Sequence, residues 1–182
     1  MTQPWTNQRV AHLLFHMADL LEIKGEVSFK VAAYRRAGES ILAHGEDITA
    51  VWHQGRLKEI PGVGDAIAKK LDELFRTGEM AFLKDLEREV PPSLATLLEI
   101  PGVGPKTARL VWEHLGIVDL EGLERAARAG RLRSLPGLGE RAEAGILKGL
   151  VSLAARDQAD RKTADAAQGE EVGHVETPEA EP

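Results

Sequence analysis

Three short segments of this 182-residue chain carry the residue types that could bind a phosphate. Ile60-Pro61-Gly62-Val63-Gly64 recurs as Ile100-Pro101-Gly102-Val103-Gly104 and as Leu135-Pro136-Gly137-Leu138-Gly139, at offsets of 40 and 35 residues. Each stands between a short apolar helix and a longer amphipathic one. Proline stops the first helix. The glycines permit unusual dihedrals and leave no Cβ between backbone and ligand. The second helix then presents its N-terminus, with unpaired N–H groups and the positive end of its dipole, beside Gly62 and Gly64, Gly102 and Gly104, or Gly137 and Gly139. An anion site of this kind reads no bases, so it implies sequence-independent binding. Lys69 and Lys70 follow the first copy by one turn, and Lys106 and Arg109 follow the second; such cations add a salt-dependent component. In the third copy Glu140 and Glu143 could fill the anion site themselves.

The flanking sequence reads as all-α. Val10, Leu13, Leu14, Met17 and Leu21 keep helical spacing, as do Ile67, Leu71, Leu74 and Phe75, and later Ala142, Ile146, Leu150 and Leu153. Ser28 is a good N-cap for a helix reaching about Ala43. No run of alternating β-branched residues argues for a strand. Pro91-Pro92 is the best subdomain boundary. The division expected is 1–90 with the first hairpin, 91–155 with the second and third, and 156–182 as a disordered acidic tail.

Composition narrows the field. The absence of cysteine excludes disulfides, thiolate metal sites and cysteine nucleophiles. Aromatic residues are 4%, too few for a base-stacking platform. The N-terminus shows no secretory signal and no run is apolar enough for a membrane helix, so a cytoplasmic, nucleoid-associated protein is expected. The net charge of −6 belongs entirely to residues 157–182; the rest balances at 21 acids and 21 bases. DNA binding must then come from local patches rather than bulk charge. The tail is a solvated segment, a competitor for basic surface, or a contact for a protein partner. His12 and His16 stand at i, i+4 but lack an acidic third ligand, which argues against a metal there.

The repeated element resembles the helix-hairpin-helix motif of DNA repair and replication proteins. A wider resemblance covers roughly residues 6–153. Ala18-Asp19-Leu20-Leu21-Glu22-Ile23-Lys24-Gly25-Glu26, Phe29-Lys30-Val31-Ala32-Ala33-Tyr34-Arg35-Arg36-Ala37, the stretch from Gly55 to Leu71 and the second and third hairpins are similar, in order, to the N-terminal region of bacterial family X DNA polymerases. The resemblance implies a lyase-like domain followed by a fingers- or thumb-like one. It implies a monomer whose hairpins grip the backbone beside a nick or short gap in DNA, with Lys30 and Tyr34 at a 5′-phosphate pocket. It also implies K+ or Na+ held by the carbonyls of Lys58, Ile60 and Val63, and of Leu98, Ile100 and Val103, with no other cofactor. Lys70 occupies the position of the lysine that forms a Schiff base at an abasic site. Two pocket lysines of active vertebrate members are replaced by Ala66 and Phe82. No Asp-x-Asp pair occurs, and neither palm nor phosphoesterase domain is legible, so the chain is not expected to polymerise alone. Non-sequence-specific binding of nicked, gapped or 5′-phosphate-bearing DNA is the leading expectation. A 5′-deoxyribose-phosphate lyase using Lys70 is the second. A protein-interaction module, or the accessory half of a split polymerase, is the third.

Overall fold

The computed structural model describes the backbone of residues 5–169 and the side chains of residues 5–159. Among them every regular element is helical: α1 (Asn7–Lys24), α2 (Ser28–Leu42), α3 (Ile48–His53), α4 (Asp65–Thr77), α5 (Ala81–Glu89), α6 (Leu94–Leu97), α7 (Pro105–Leu115), α8 (Leu120–Arg128) and α9 (Glu140–Gly169). Short 3-10 turns at Leu57–Glu59 and Leu132–Ser134 enter the first and third hairpins.

Local chemistry sets the helix ends. The Thr6 hydroxyl accepts from the Arg9 amide at 3.2 Å and starts α1. Gly25, at φ 88°, ends it. The Gly25 amide donates to the Glu22 carbonyl and the Glu26 amide to Leu21, the paired bonds of a Schellman cap. Ser28 does not act as the N-cap of α2. The Lys30 amide donates to the Val27 carbonyl at 3.0 Å, which makes Val27 the flanking residue and puts Ser28 inside the first turn.

The apolar faces of α1 and α2 build the first half of the core, with Leu14, Met17, Leu20, Leu21 and Ile41 sealed from solvent. Gly38 lets the two helices close: a Cβ there would stand 2.6 Å from Phe15 Cε1. Burying a leucine of this kind contributes about 1.5–3 kcal/mol. The Pro91-Pro92 break does separate α5 from α6. Yet α1 packs on α5, α6 and α7 alike, and one buried cluster runs from Val10 to Leu153.

Helix α9 packs through Ile146, Leu150 and Leu153. Where disorder is expected from residue 156, the backbone stays helical to Gly169, but residues 154–159 are all exposed. Residues 154–159 therefore rest on intrinsic helix propensity rather than on burial against the core. Residues 170–182 of the expected tail lie outside the described residues.

Gly62 should be the least replaceable hairpin glycine. It sits at φ 84°, and a Cβ would meet Arg36 Cγ at 3.0 Å and the Ala37 nitrogen at 3.1 Å. Gly102 has a similar φ of 92° with open space around it. Gly62→Ala is expected to cost about 2 kcal/mol, and Gly102→Ala about 1 kcal/mol, in denaturant unfolding.

Candidate nucleic-acid interface and lysine pocket

The three hairpins are the same turn made three times. The Val63 amide donates to the Ile60 carbonyl at 3.0 Å, Val103 to Ile100 at 2.9 Å and Leu138 to Leu135 at 3.0 Å. Proline in the second position and a positive-φ glycine in the third are the requirements of a type II turn, and Gly137 at φ 77° completes the set. The central Val63, Val103 and Leu138 are buried and anchor each turn in the core.

The helix that follows each of the first two turns has no side-chain cap. Gly64 flanks α4 at φ −80° and Gly104 flanks α7 at φ −95°, ordinary extended conformations. The space over Gly64, Gly102 and Gly104 is open within 4 Å. Bare amides and no Cβ give each site what an anionic oxygen needs; the dipole of α7 is unopposed, while the first turn of α4 carries Asp65, which is paired with Lys58.

The third copy differs at the helix. Burial works to raise the Glu143 carboxyl, but hydrogen bonds from the Arg133 side chain and backbone outweigh it and hold the group below the usual carboxylate range. Arg133 Nε donates to Glu143 Oε1 at 2.8 Å, and the Arg133 amide donates to Oε2 at 3.1 Å. Glu140 adds a longer contact to Arg133. The space over Gly137 and Gly139 is open, but the first turn of α9 carries two carboxylates, Glu140 and Glu143.

The cations that follow the hairpins in sequence part company in space. Lys69 faces a groove of about 520 Å³ with Trp52, Lys58 and Asp65. Lys58 pairs with Asp65 at the start of α4. Lys106 is exposed on α7. Arg109 is tied inward: Nη1 donates to the Lys24 carbonyl at 3.1 Å, and Nε donates to Glu113 at 2.8 Å. It clamps the end of α1 to α7, a role its spacing does not reveal.

Lys70 points the other way. Its Nζ stands 4.6 Å from the centre of the Phe82 ring, and Lys30 Nζ stands 5.6 Å from the same ring. Tyr34 lies nearly parallel to Phe82, with centroids 6.1 Å apart and planes within 7°. Helices α2, α4 and α5 thus bring Lys30, Tyr34, Lys70 and Phe82 into one cluster around the Phe82 ring. Burial pushes the Tyr34 hydroxyl up to about 12, so it stays protonated and forms a wall. Burial, then the Lys30 charge, push the Lys70 ammonium below the ordinary lysine value, with Glu73 opposing. Lys70 also donates to the Ala66 carbonyl at 3.3 Å, and Lys30 is partly offset by Glu26 at 3.3 Å.

His12 and His16 open onto a cleft of about 870 Å³ between α1 and the second hairpin. His16 Nε2 reaches Glu87 at 3.6 Å. Among the described residues no three histidines or carboxylates converge as metal ligands.

Comparison with known proteins agrees with this architecture. Residues 5–80 match the family model of a helix-hairpin-helix domain, and residues 94–151 match that of a SAM-like helix-hairpin-helix tandem. This is a tandem helix-hairpin-helix chain that resembles the N-terminal region of family X DNA polymerases. A relative in Bacillus subtilis (strain 168), the DNA polymerase/3′-5′ exonuclease PolX, is 30% identical over 130 residues, 71% of this chain and 22% of that protein. The chain thus spans about a fifth of that relative's length. Among the described residues no helix is long and apolar enough to cross a membrane.

Lys70 is expected to titrate below the ordinary lysine value when its methylated amine is followed by NMR. Lys30→Gln removes a neighbouring charge and should move that titration upward. The folded-state value lies below the unfolded one, so protonated Lys70 costs stability at neutral pH. The cost is relieved as pH rises from the folded towards the unfolded value. Lys70→Met should therefore raise Tm at pH 7, and by less at pH 10.

Proposed function

We propose that this chain binds duplex DNA without reading its sequence, gripping backbone phosphates with the first two hairpins. It would favour DNA that is nicked, gapped or bears a 5′-phosphate. The carrying observation is the pair of uncapped helix N-termini behind type II turns, open over Gly64, Gly102 and Gly104. The family matches and the polymerase relative support DNA binding in repair or replication as the function class. Gapped DNA suits two phosphate sites on one continuous core. The third hairpin, with Glu143 in the first helical turn behind it, would serve as scaffold.

The hairpin carbonyls suit a monovalent cation. The donor set at Lys58, Ile60 and Val63, and at Leu98, Ile100 and Val103, is of hard oxygens only. Ile60 and Ile100 each accept one turn bond, and a carbonyl has a second lone pair to offer. K+ or Na+ there would neutralise phosphate charge beside the bare amides.

Gly64→Asp with Gly104→Asp tests the phosphate reading by opposite signs. Aspartate is a better N-cap than glycine by a few tenths of a kcal/mol, so the fold should be unchanged or slightly more stable. The new carboxylates would occupy the anion sites and abolish the shift of a gapped duplex in a gel. Binding that survives the double substitution sinks the hairpin reading.

A second reading rests on the lysine cluster: a lyase acting on a 5′-deoxyribose phosphate. Lys70 Nζ would attack the C1′ aldehyde, with the carbonyl oxygen leaving as water, to form a Schiff base. Loss of a C2′ proton to a base would then break the C3′–O bond and release the phosphate. Water returns the free lysine. A depressed Lys70 pKa favours the neutral amine, and Lys30 supplies a cation for the phosphate. Borohydride should trap an adduct on a one-nucleotide gap carrying that group, and Lys70→Ala should lose it. DNA binding with no adduct would leave a binding module alone.

A further inference from the structure

The Lys and Arg side chains divide into paired and unpaired. Most face a carboxylate, as Arg35, Arg56, Lys84, Arg88 and Arg128 do, and so do Lys58 and Arg109 beside the first two hairpins. Arg36, Lys106 and Lys148 have no carboxylate at ion-pair distance among the described residues, and Lys69 has only the longer-range attraction of Asp65, which Lys58 already pairs. Lys69 and Lys106 belong to the helices that follow the first and second turns. Arg36 and Lys148 come from elsewhere in the chain, yet each stands where its helix meets a turn. The Arg36 Cγ lies against the first turn, since a Cβ on Gly62 would stand 3.0 Å from it. Helix α9 crosses the second turn at Gly149, where a Cβ would stand 2.8 Å from Ile100 Cγ2 and 2.9 Å from the Pro101 carbonyl oxygen. Lys148 is the preceding residue and is exposed. Arg131 and Arg141, near the third turn, are likewise without a carboxylate, but there Glu140 and Glu143 stand in the first turn of α9 and engage Arg133.

We propose that α2 and α9 each supply a second phosphate ligand to the hairpin they pack on, Arg36 at the first and Lys148 at the second. Each gripping site is then two-sided: backbone amides and one lysine from the hairpin's own helix, and one cation from a neighbouring helix. The partner is the sugar–phosphate backbone of DNA, and the inference rests on the hairpin reading above. It would give a body with balanced charge positive potential at two places. Internal pairing neutralises most of the other cations, while these are left for phosphate.

The test measures affinity for a gapped duplex across a range of salt for the full chain and for Arg36→Gln, Lys148→Gln and the ion-paired control Arg88→Gln. Glutamine keeps the Cγ that packs on Gly62, and unchanged melting curves would establish that the variants fold. Removing one phosphate contact lowers the slope of log K against log salt by about 0.9, which is about eightfold in affinity at 0.1 M salt. Arg36→Gln and Lys148→Gln should each show that loss, Arg36→Lys should restore most of it, and Arg88→Gln should match the unaltered chain. Unchanged slopes in both glutamine variants, with the unaltered chain still binding, overturn this inference and leave the hairpin reading standing. No salt-dependent binding by the unaltered chain overturns both.

Discussion

The bond from the Val63 amide to the Ile60 carbonyl, repeated at Ile100–Val103 and Leu135–Leu138, constrains everything around it. To close it the third residue must take a positive φ, which selects glycine, and the second is best pre-set by proline. The fourth residue is then drawn into the core, and the chain leaves the turn already aligned for a helix. That helix lacks a capping side chain. With glycine in the capping position, forgoing a capping side chain costs only about a few tenths of a kcal/mol at each site. Burial of Ile60, Val63 and Ile67 at the first hairpin, and of Ile100, Val103 and Ala108 at the second, offsets that loss. The core thereby holds open two helix ends that would be stabler closed.

Charge is distributed to the same end. Chain-wide balance is reached largely by local pairs, several of them i, i+4 partners along one helix, such as Arg128 with Glu124 and Arg109 with Glu113. Exposed pairs of this kind contribute about 0–1 kcal/mol each. Their larger effect is to remove stray positive potential from the surface. Lys69 and Lys70 show how finely this is divided. One residue apart on α4, they sit about 100° apart around the axis. The first therefore joins the groove beside the hairpin turn, and the second joins the cluster around Phe82.

What the sequence made legible was whatever depends on neighbours in the chain. The type II turns follow from Pro-Gly and the helix faces from apolar spacing, so the all-α fold and its repeat could be read directly. Tertiary contacts could not. The family resemblance put Phe82 beside Lys30, Tyr34 and Lys70, but its stacking on Tyr34 was not legible, because that depends on how α2 and α5 meet. Arg109 follows the second hairpin as Lys69 follows the first, yet the packing of α1 on α7 gives it the Lys24 carbonyl. Ser28 has the chemistry of a cap, but the Val27 carbonyl takes the first helical bond and places Ser28 a residue too late. Arg36 is one of two adjacent arginines. Only the approach of Gly62 to α2 distinguishes it from Arg35, which Asp19 and Glu22 hold at 3.0 Å and 2.6 Å.

The third hairpin separates the turn from its use. Its backbone bond, its glycine dihedral and its buried anchor match the other two. Its helix, however, brings Glu143 back to the Arg133 amide, so a donor ahead of the turn is met from within the chain. Hence the Pro-Gly turn is first a way to join two helices over a core, and it serves that purpose wherever it occurs. Phosphate binding needs two further conditions: amides left without an internal acceptor, and nearby cations left without a carboxylate. Behind the third turn Glu140 and Glu143 stand in the first helical turn and both engage Arg133; behind the second there is no carboxylate, and behind the first Asp65 is paired with Lys58. A copy of the motif is therefore not by itself a phosphate site: the charges carried by the first helical turn behind it bear on what it can hold.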